Sequence, residues 1–85
     1  MKVVIYTASY CPYCHAAKRL LKSQGVVFEE MNVTDDENMR EKLIQMTHGR
    51  QTVPQIFVDG RSIGGYDELV KLLALSQSNR RAGNH

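Results

Sequence analysis

Val3-Val4-Ile5-Tyr6-Thr7-Ala8-Ser9-Tyr10-Cys11-Pro12-Tyr13-Cys14-His15-Ala16-Ala17-Lys18-Arg19-Leu20-Leu21 passes from one hydrophobic period to another without a break. Val3-Val4-Ile5-Tyr6-Thr7 is a short β-branched run bounded by polar residues and reads as a buried strand. After Pro12, the spacing of Cys14, Ala17 and Leu21, with Leu20 alongside, is that of a helix, and Gly25 stands where a helix closes on its C′ residue. Proline is favoured at the first helical position, which makes Pro12 the N1 residue and Cys11 the N-cap. Cys11 is therefore expected where the loop after the first strand meets the first helix.

Working outward, Val26-Val27-Phe28 leads into a second strand ending near Val33, its pattern blurred by Glu29 and Glu30. Thr34 and Glu37 have the spacing of a capping box and predict the start of a second helix there. Met39, Leu43 and Met46 recur at helical spacing, Ile44 widens their stripe, and His48-Gly49 ends it. Gln55-Ile56-Phe57-Val58 is a third strand, Asp59-Gly60 a hairpin turn, and Arg61-Ser62-Ile63 its antiparallel partner. Gly64-Gly65 then turns the chain into a last helix, marked by Leu69, Leu72 and Leu73, from about Tyr66 to Leu75.

The order β-α-β-α-β-β-α predicts an α/β fold, a four-stranded mixed sheet flanked by three helices. Its first two strands are parallel with a right-handed crossover, and the hairpin adds antiparallel strands. Residues 1–76 are expected to form one domain, and the polar stretch 77–85 a disordered tail.

Composition narrows the function classes. The chain has 85 residues, 42% hydrophobic and 24% charged, as an ordinary globular domain does. A net charge of +2, with the basic residues spread along the chain, gives no footprint for nucleic acid. Lys2 precedes only Val3, Val4 and Ile5 before polar residues return, too short for the apolar core of a signal peptide. No apolar run approaches the roughly 20 residues of a membrane-spanning helix. A cytoplasmic protein that meets neither membrane nor nucleic acid is expected, and a monomer. In that compartment thiols stay reduced. The two cysteines lie three positions apart, so a bridge between them closes a tiny loop and constrains the unfolded chain little. Chemistry explains the pair better than stabilisation does.

A cysteine nucleophile attacks as its thiolate, so its surroundings must favour that form. At the N-cap, the N–H groups of Tyr13 and Cys14 would point toward the Cys11 sulfur. A helix dipole offers about 0.3–2 kcal/mol, whereas each hydrogen bond to a charged acceptor is worth roughly 1.5–3 kcal/mol. Donor bonds therefore outweigh the dipole. Cys14 falls at N3, facing inward, where it could attack Cys11 in a mixed disulfide and resolve it. A lone C-x-x-C can also be half of a zinc site or a pair of inert buried thiols. The remaining metal-ligand candidates, His15, His48 and His85, lack finger-like spacing, and no metal is expected.

At Cys11-Pro12-Tyr13-Cys14 followed by His15, the chain resembles the glutaredoxins. Thr52-Val53-Pro54 looks like that family's TVP loop and Gln55-Ile56-Phe57 like the strand after it. Gly64-Gly65-Tyr66-Asp67-Glu68-Leu69 resembles its G-G-x-D-[DE]-L segment, and the likeness runs from residue 1 to about 75. The resemblance implies a thioredoxin fold and an enzyme that reduces protein disulfides and glutathione mixed disulfides. Cys11 would be the nucleophile and Cys14 the resolving thiol, with no tightly bound cofactor and glutathione as reducing co-substrate. It further implies a glutathione site made by Tyr13 and Arg50 on the glycyl side, with Gln51 nearby. Thr52, Val53 and Pro54 would flank the groove, and Gly65, Tyr66 and Asp67 would hold the γ-glutamyl end. It also implies a cis bond before Pro54.

The residues themselves allow these roles. A Gly64-Gly65 turn leaves helix N–H groups open to a carboxylate, Asp67 can accept from an ammonium, and Arg50 offers a planar fork. Taken alone, Asp67 reads as a first-turn acid and Arg50 as a solvated loop charge; the resemblance favours the binding roles. Two positions depart from the family's pattern: Ala8 stands where many members have a basic residue, and Tyr66 where some have cysteine. Protein substrates by family would be disulfide-containing or glutathionylated proteins, ribonucleotide reductase among them. Two rival readings stay open: a redoxin of the same fold reduced by thioredoxin reductase, and a carrier of a glutathione-ligated 2Fe–2S cluster.

Overall fold

The computed structural model describes residues 1–50 and 52–83, with residues 76–83 described by their backbone alone. Along the chain run β1 (Val3–Thr7), α1 (Pro12–Ser23), β2 (Phe28–Asn32), α2 (Glu37–Met46), β3 (Gln55–Val58), β4 (Arg61–Gly64) and α3 (Tyr66–Gly83). The strands form one sheet in the order β2-β1-β3-β4. β1 pairs parallel with β2, Val3 opposite Phe28 and Thr7 opposite Asn32. β1 also pairs antiparallel with β3, and β3 with β4, with a register shift between Ile56 and Phe57. This is the expected mixed sheet with its three helices.

Alternation along β1 buries Val3, Ile5 and Thr7. Val3 and Ile5 join Ile56 of β3, Ala17 and Leu21 of α1 and Leu69 of α3 in the main core. The helical spacing of Cys14, Ala17 and Leu21 thus marks the buried face of α1. On the other side of the sheet Tyr6 and Phe57 meet edge to face, ring centroids 5.5 Å apart. β2 pairs with β1 only and has no buried residue, which is why acidic Glu29 and Glu30 are tolerated in it.

The turns follow their residues. The N–H of Val26 donates to the Leu21 carbonyl and that of Gly25 to Lys22, both at 3.0 Å, a Schellman closure of α1. Asp59 and Gly60 have φ of 51° and 83°, the paired positive values of a tight type I′ hairpin turn, which the Asp-Gly pair adopts with least strain.

Three expectations need correction. The capping box at Thr34 does not form: the N-cap of α2 is Asp36, whose carboxylate accepts the Met39 N–H at 2.9 Å. Glu37 is thereby the first helical residue rather than the third, and the Thr34 hydroxyl is turned to Ser9 instead. Strand β2 begins at Phe28, because Val26 still closes α1 and Val27 is exposed. Finally, α3 continues past its expected end near Leu75 to Gly83. No proline or glycine interrupts the chain between Tyr66 and Ala82, and Gln77, Arg80, Arg81 and Ala82 favour helix without needing a buried face. Gln51, Asn84 and His85 lie outside the described residues.

Candidate active site

Cys11 is the N-cap of α1, with extended φ and ψ of −100° and 110°, and Pro12 occupies the first helical turn. Its Sγ accepts the Cys14 N–H at 3.3 Å. Of the two N–H groups expected to face the sulfur, that of Cys14 makes the bond. On its other side the Cys11 thiol faces the Val53 carbonyl at 3.5 Å. The Val53–Pro54 peptide is cis, as the resemblance implies. Cys11 keeps 9% of its surface exposed and Cys14 none, and the two free thiols pack with Ala8 under Val53. The pair is thus ordered as one thiol at the rim and a second one fully buried beside it.

That burial has an electrostatic consequence. Loss of solvation, then the hydrogen bond to Cys11, push the Cys14 thiol from its ordinary 9.0 up to about 12; the Ala8 backbone opposes them, and the charges of Cys11 and Lys18 add smaller effects of opposite sign. Cys14 is therefore a neutral thiol at neutral pH. The sign of the linkage follows: an unfolded chain gives up this proton near pH 9 and the folded one near pH 12, so the contribution to stability is complete below 9 and lost as the pH rises through 12. Urea unfolding of the reduced protein should show a midpoint falling across that window. Cys14→Ser should flatten the fall, and equal slopes in both proteins would remove Cys14 as its source.

The segment leading to Cys11 is held from both sides. Thr7, fully buried at the end of β1, donates its hydroxyl to Glu30 Oε2 at 2.6 Å, and Lys18 Nζ reaches the same oxygen at 2.9 Å. The Thr7 bond first, and then the Lys18 contact, hold the Glu30 carboxyl below its ordinary range. One residue pair further on, the Ser9 N–H donates to Thr34 Oγ1 at 2.8 Å and Asn32 Nδ2 to Ser9 Oγ at 3.0 Å. His15 Nε2 lies 3.1 Å from the Ser9 carbonyl. β1, β2, α1 and the loop before α2 thus converge on the residues before Cys11.

Beside the cysteines opens a groove of about 320 Å³ lined by Tyr13, Thr52, Val53, Pro54, Gly65, Tyr66, Asp67 and Glu68. The tyrosine rings of Tyr13 and Tyr66 stand 5.7 Å apart and tilted, forming one wall. The backbones of the other wall approach closely: a Cβ on Gly65 would stand 3.3 Å from the Pro54 carbonyl oxygen. Arg50 does not line the groove directly; its Nη1 lies 3.6 Å from Glu68 Oε1. Gln51, expected nearby, lies outside the described residues.

Two residues without an expected role are brought in by the structure. Glu68 Oε1 accepts the Gly65 N–H at 3.1 Å, so one donor of the Gly64-Gly65 turn is already engaged from within the chain. This is the returning half of a capping box, with glycine in place of the usual hydroxyl residue, and the G-x-x-E spacing was its available signal. Gly64, at φ 110°, gives the Glu68 side chain its room, since any Cβ there would collide with it. Gln55, only 2% exposed, donates from Nε2 to the Thr52 carbonyl at 3.0 Å and its hydroxyl at 3.3 Å, fixing the Thr52-Val53-Pro54 loop from behind. A lone glutamine in an apolar strand gave no sequence hint of that contact.

Comparison with known proteins agrees with this geometry. The glutaredoxin family model matches residues 3–63. Glutaredoxin 3 of Escherichia coli is 51% identical over 70 residues, which cover 82% of this chain and 83% of the relative. Among solved structures, the solution structure of glutaredoxin from Brucella melitensis superposes with a TM-score of 0.78 at 35% identity, covering 94% of this chain and 86% of that one. A buckwheat glutaredoxin–glutathione complex superposes with a TM-score of 0.72 at 32% identity, covering 81% of this chain. This chain spans 64% of the buckwheat protein's length.

Proposed function

The chain belongs to the glutaredoxin family, and from that membership we propose the division of labour within its site: Cys11 attacks, Cys14 resolves, and the neighbouring groove takes glutathione. As a glutaredoxin of the thioredoxin fold it is a glutathione-dependent thiol–disulfide oxidoreductase.

With a glutathionylated protein, the Cys11 thiolate attacks the glutathione sulfur. A Cys11–glutathione disulfide forms, the original disulfide breaks, and the protein leaves as a thiolate that takes up a proton. The thiolate of a second glutathione then attacks the bound glutathione sulfur, freeing Cys11 and giving glutathione disulfide. With a protein disulfide, Cys11 bonds to one of its sulfurs and Cys14 attacks the Cys11 sulfur. The substrate is released as a dithiol, and two glutathiones reduce the resulting Cys11–Cys14 disulfide. Cys14 surrenders its proton only in that second step. By then Cys11 carries no charge, and one influence that kept Cys14 protonated has gone.

The single observation that carries the reading is the position of Val53. Its carbonyl lies 3.5 Å from the Cys11 thiol, and the same residue lines the groove, so a tripeptide lying there would bring its sulfur beside Cys11. In this reading Thr52, Val53 and Pro54 flank the peptide, Gly65, Tyr66 and Asp67 receive the γ-glutamyl end, and Tyr13 and Arg50 serve the glycyl end. The proposed setting is a cytoplasmic monomer acting on disulfide-containing or glutathionylated proteins, ribonucleotide reductase among the candidates. No helix among the described residues is long and apolar enough to cross a membrane.

The test is a choice of electron donor. Turnover with glutathione, glutathione reductase and NADPH is expected, and little with thioredoxin reductase and NADPH. Reduction supported only by thioredoxin reductase would replace glutathione as the co-substrate.

A further inference from the structure

Beside the groove, two donors within reach of an incoming carboxylate already face one. Glu68 Oε1 accepts the Gly65 N–H at 3.1 Å and stands 3.6 Å from Arg50 Nη1. The Gly65 bond, and to a smaller extent the charge of Arg50, keep this carboxyl below its ordinary range, so it is ionised at neutral pH. Its place is prepared by the backbone, because Gly64 leaves open the volume that a Cβ would take. Glutathione with its thiol protonated carries two carboxylates and one ammonium, and so arrives as an anion. An anion entering this groove meets a fixed negative charge and finds Arg50 partly engaged.

We propose that Glu68 is a selectivity-determining residue that competes internally with glutathione for Arg50, and that a ligand gains Arg50 only by bringing a carboxylate to exchange for it. The inference rests on the glutathione reading of the groove. Exchange is easy because the pair is half-exposed, with side-chain exposures of 55% for Arg50 and 44% for Glu68, and pairs of this kind are weak. The Gly65 bond lets Glu68 stay on the helix end while it releases the arginine, so the fold need not open. A tripeptide whose glycyl carboxylate is masked cannot make the exchange. Glu68 therefore costs affinity chiefly to the ligand whose glycyl carboxylate needs Arg50, and little to one in which that carboxylate is masked.

The experiment compares the wild-type protein with Glu68→Gln, which keeps an oxygen for the Gly65 N–H and removes the charge. The readout is KM for a peptide–glutathione mixed disulfide and for the same peptide carrying glutathione esterified at the glycine. For the unmodified adduct KM should fall about threefold in Glu68→Gln, and the fall should shrink when salt is raised from low to physiological concentration. For the ester the change should be less than half as large. Arg50→Gln should raise KM more in the Glu68→Gln background than in the wild type, since only there is the arginine fully free for the ligand. An unchanged or raised KM for the unmodified adduct would overturn the proposal, as would an equal fall for adduct and ester. Glu68→Asp, which keeps the charge but shortens the reach, separates loss of charge from loss of the cap. If it lowers KM as much as Glu68→Gln does, position rather than charge is responsible, and the competition fails. Wild-type protein without any glutathione-supported turnover would fault the reading of the site itself, whereas turnover without the KM shift would fault only Glu68.

Discussion

Cys11→Ser should lose reduction of both glutathionylated and disulfide substrates, by roughly a thousandfold or more, as expected when a nucleophile is removed from a site that offers no substitute. The chain has only one other cysteine. Cys14 is fully buried and protonated up to about pH 12, so it can neither reach an incoming disulfide nor attack as a thiolate at neutral pH. A serine hydroxyl at position 11 would keep the N-cap, because hydroxyl residues accept the same N–H bond that Cys11 Sγ now accepts from Cys14. Folding is therefore spared and the loss can be read as chemical. NADPH oxidation coupled through glutathione reductase measures it, and appreciable residual turnover would move the nucleophile elsewhere.

The second large effect is selective. Cys14→Ser should retain deglutathionylation within about threefold, since free glutathione resolves the Cys11 adduct, while reduction of protein disulfides falls by on the order of a hundredfold. The reason is proximity. Cys14 sits on the same helical turn as Cys11, its N–H already bonded to the Cys11 sulfur, so its attack is intramolecular where that of glutathione is not. The variant should also trap the protein-substrate mixed disulfide, visible as a covalent adduct by non-reducing electrophoresis or mass spectrometry. Loss of both activities together would give Cys14 a part in the first step as well, through support of the Cys11 sulfur.

The element order was legible because each element carries its own local signal. Helix-start chemistry at Cys11-Pro12, a two-residue hairpin turn at Asp59-Gly60 and a β-branched run at residues 3–7 need no partner to be recognised. Local signals failed where two of them competed. Thr34 and Asp36 are both good caps, and the choice between them was made across the fold, since Ser9 claims the Thr34 hydroxyl. Apolar spacing does not mark the end of α3, because it stops at Leu75 while intrinsic propensity continues the backbone to Gly83.

At the site the two cysteines and most of the groove could be read from short motifs. What could not be read were the residues acting at a distance. Gln55 steadies Thr52 from within the sheet, Glu30 joins Thr7 to Lys18 across three elements, and Glu68 turns back on its own helix start. Each is a polar side chain whose partner is set by tertiary placement, and no periodicity encodes such pairing.

The convergence on Ser9 and Thr7 bears on how the protein cycles between its two redox forms. The loop before Cys11 is tied to β2, to α1 and to the turn before α2, while the helix after it begins on a rigid proline. Making and breaking a sulfur–sulfur bond here is thereby confined to two side chains and one turn of backbone. The oxidised and reduced protein should therefore superpose closely outside these positions. The scaffold acts as an anvil, and substrates and glutathione, rather than the protein, supply the moving parts.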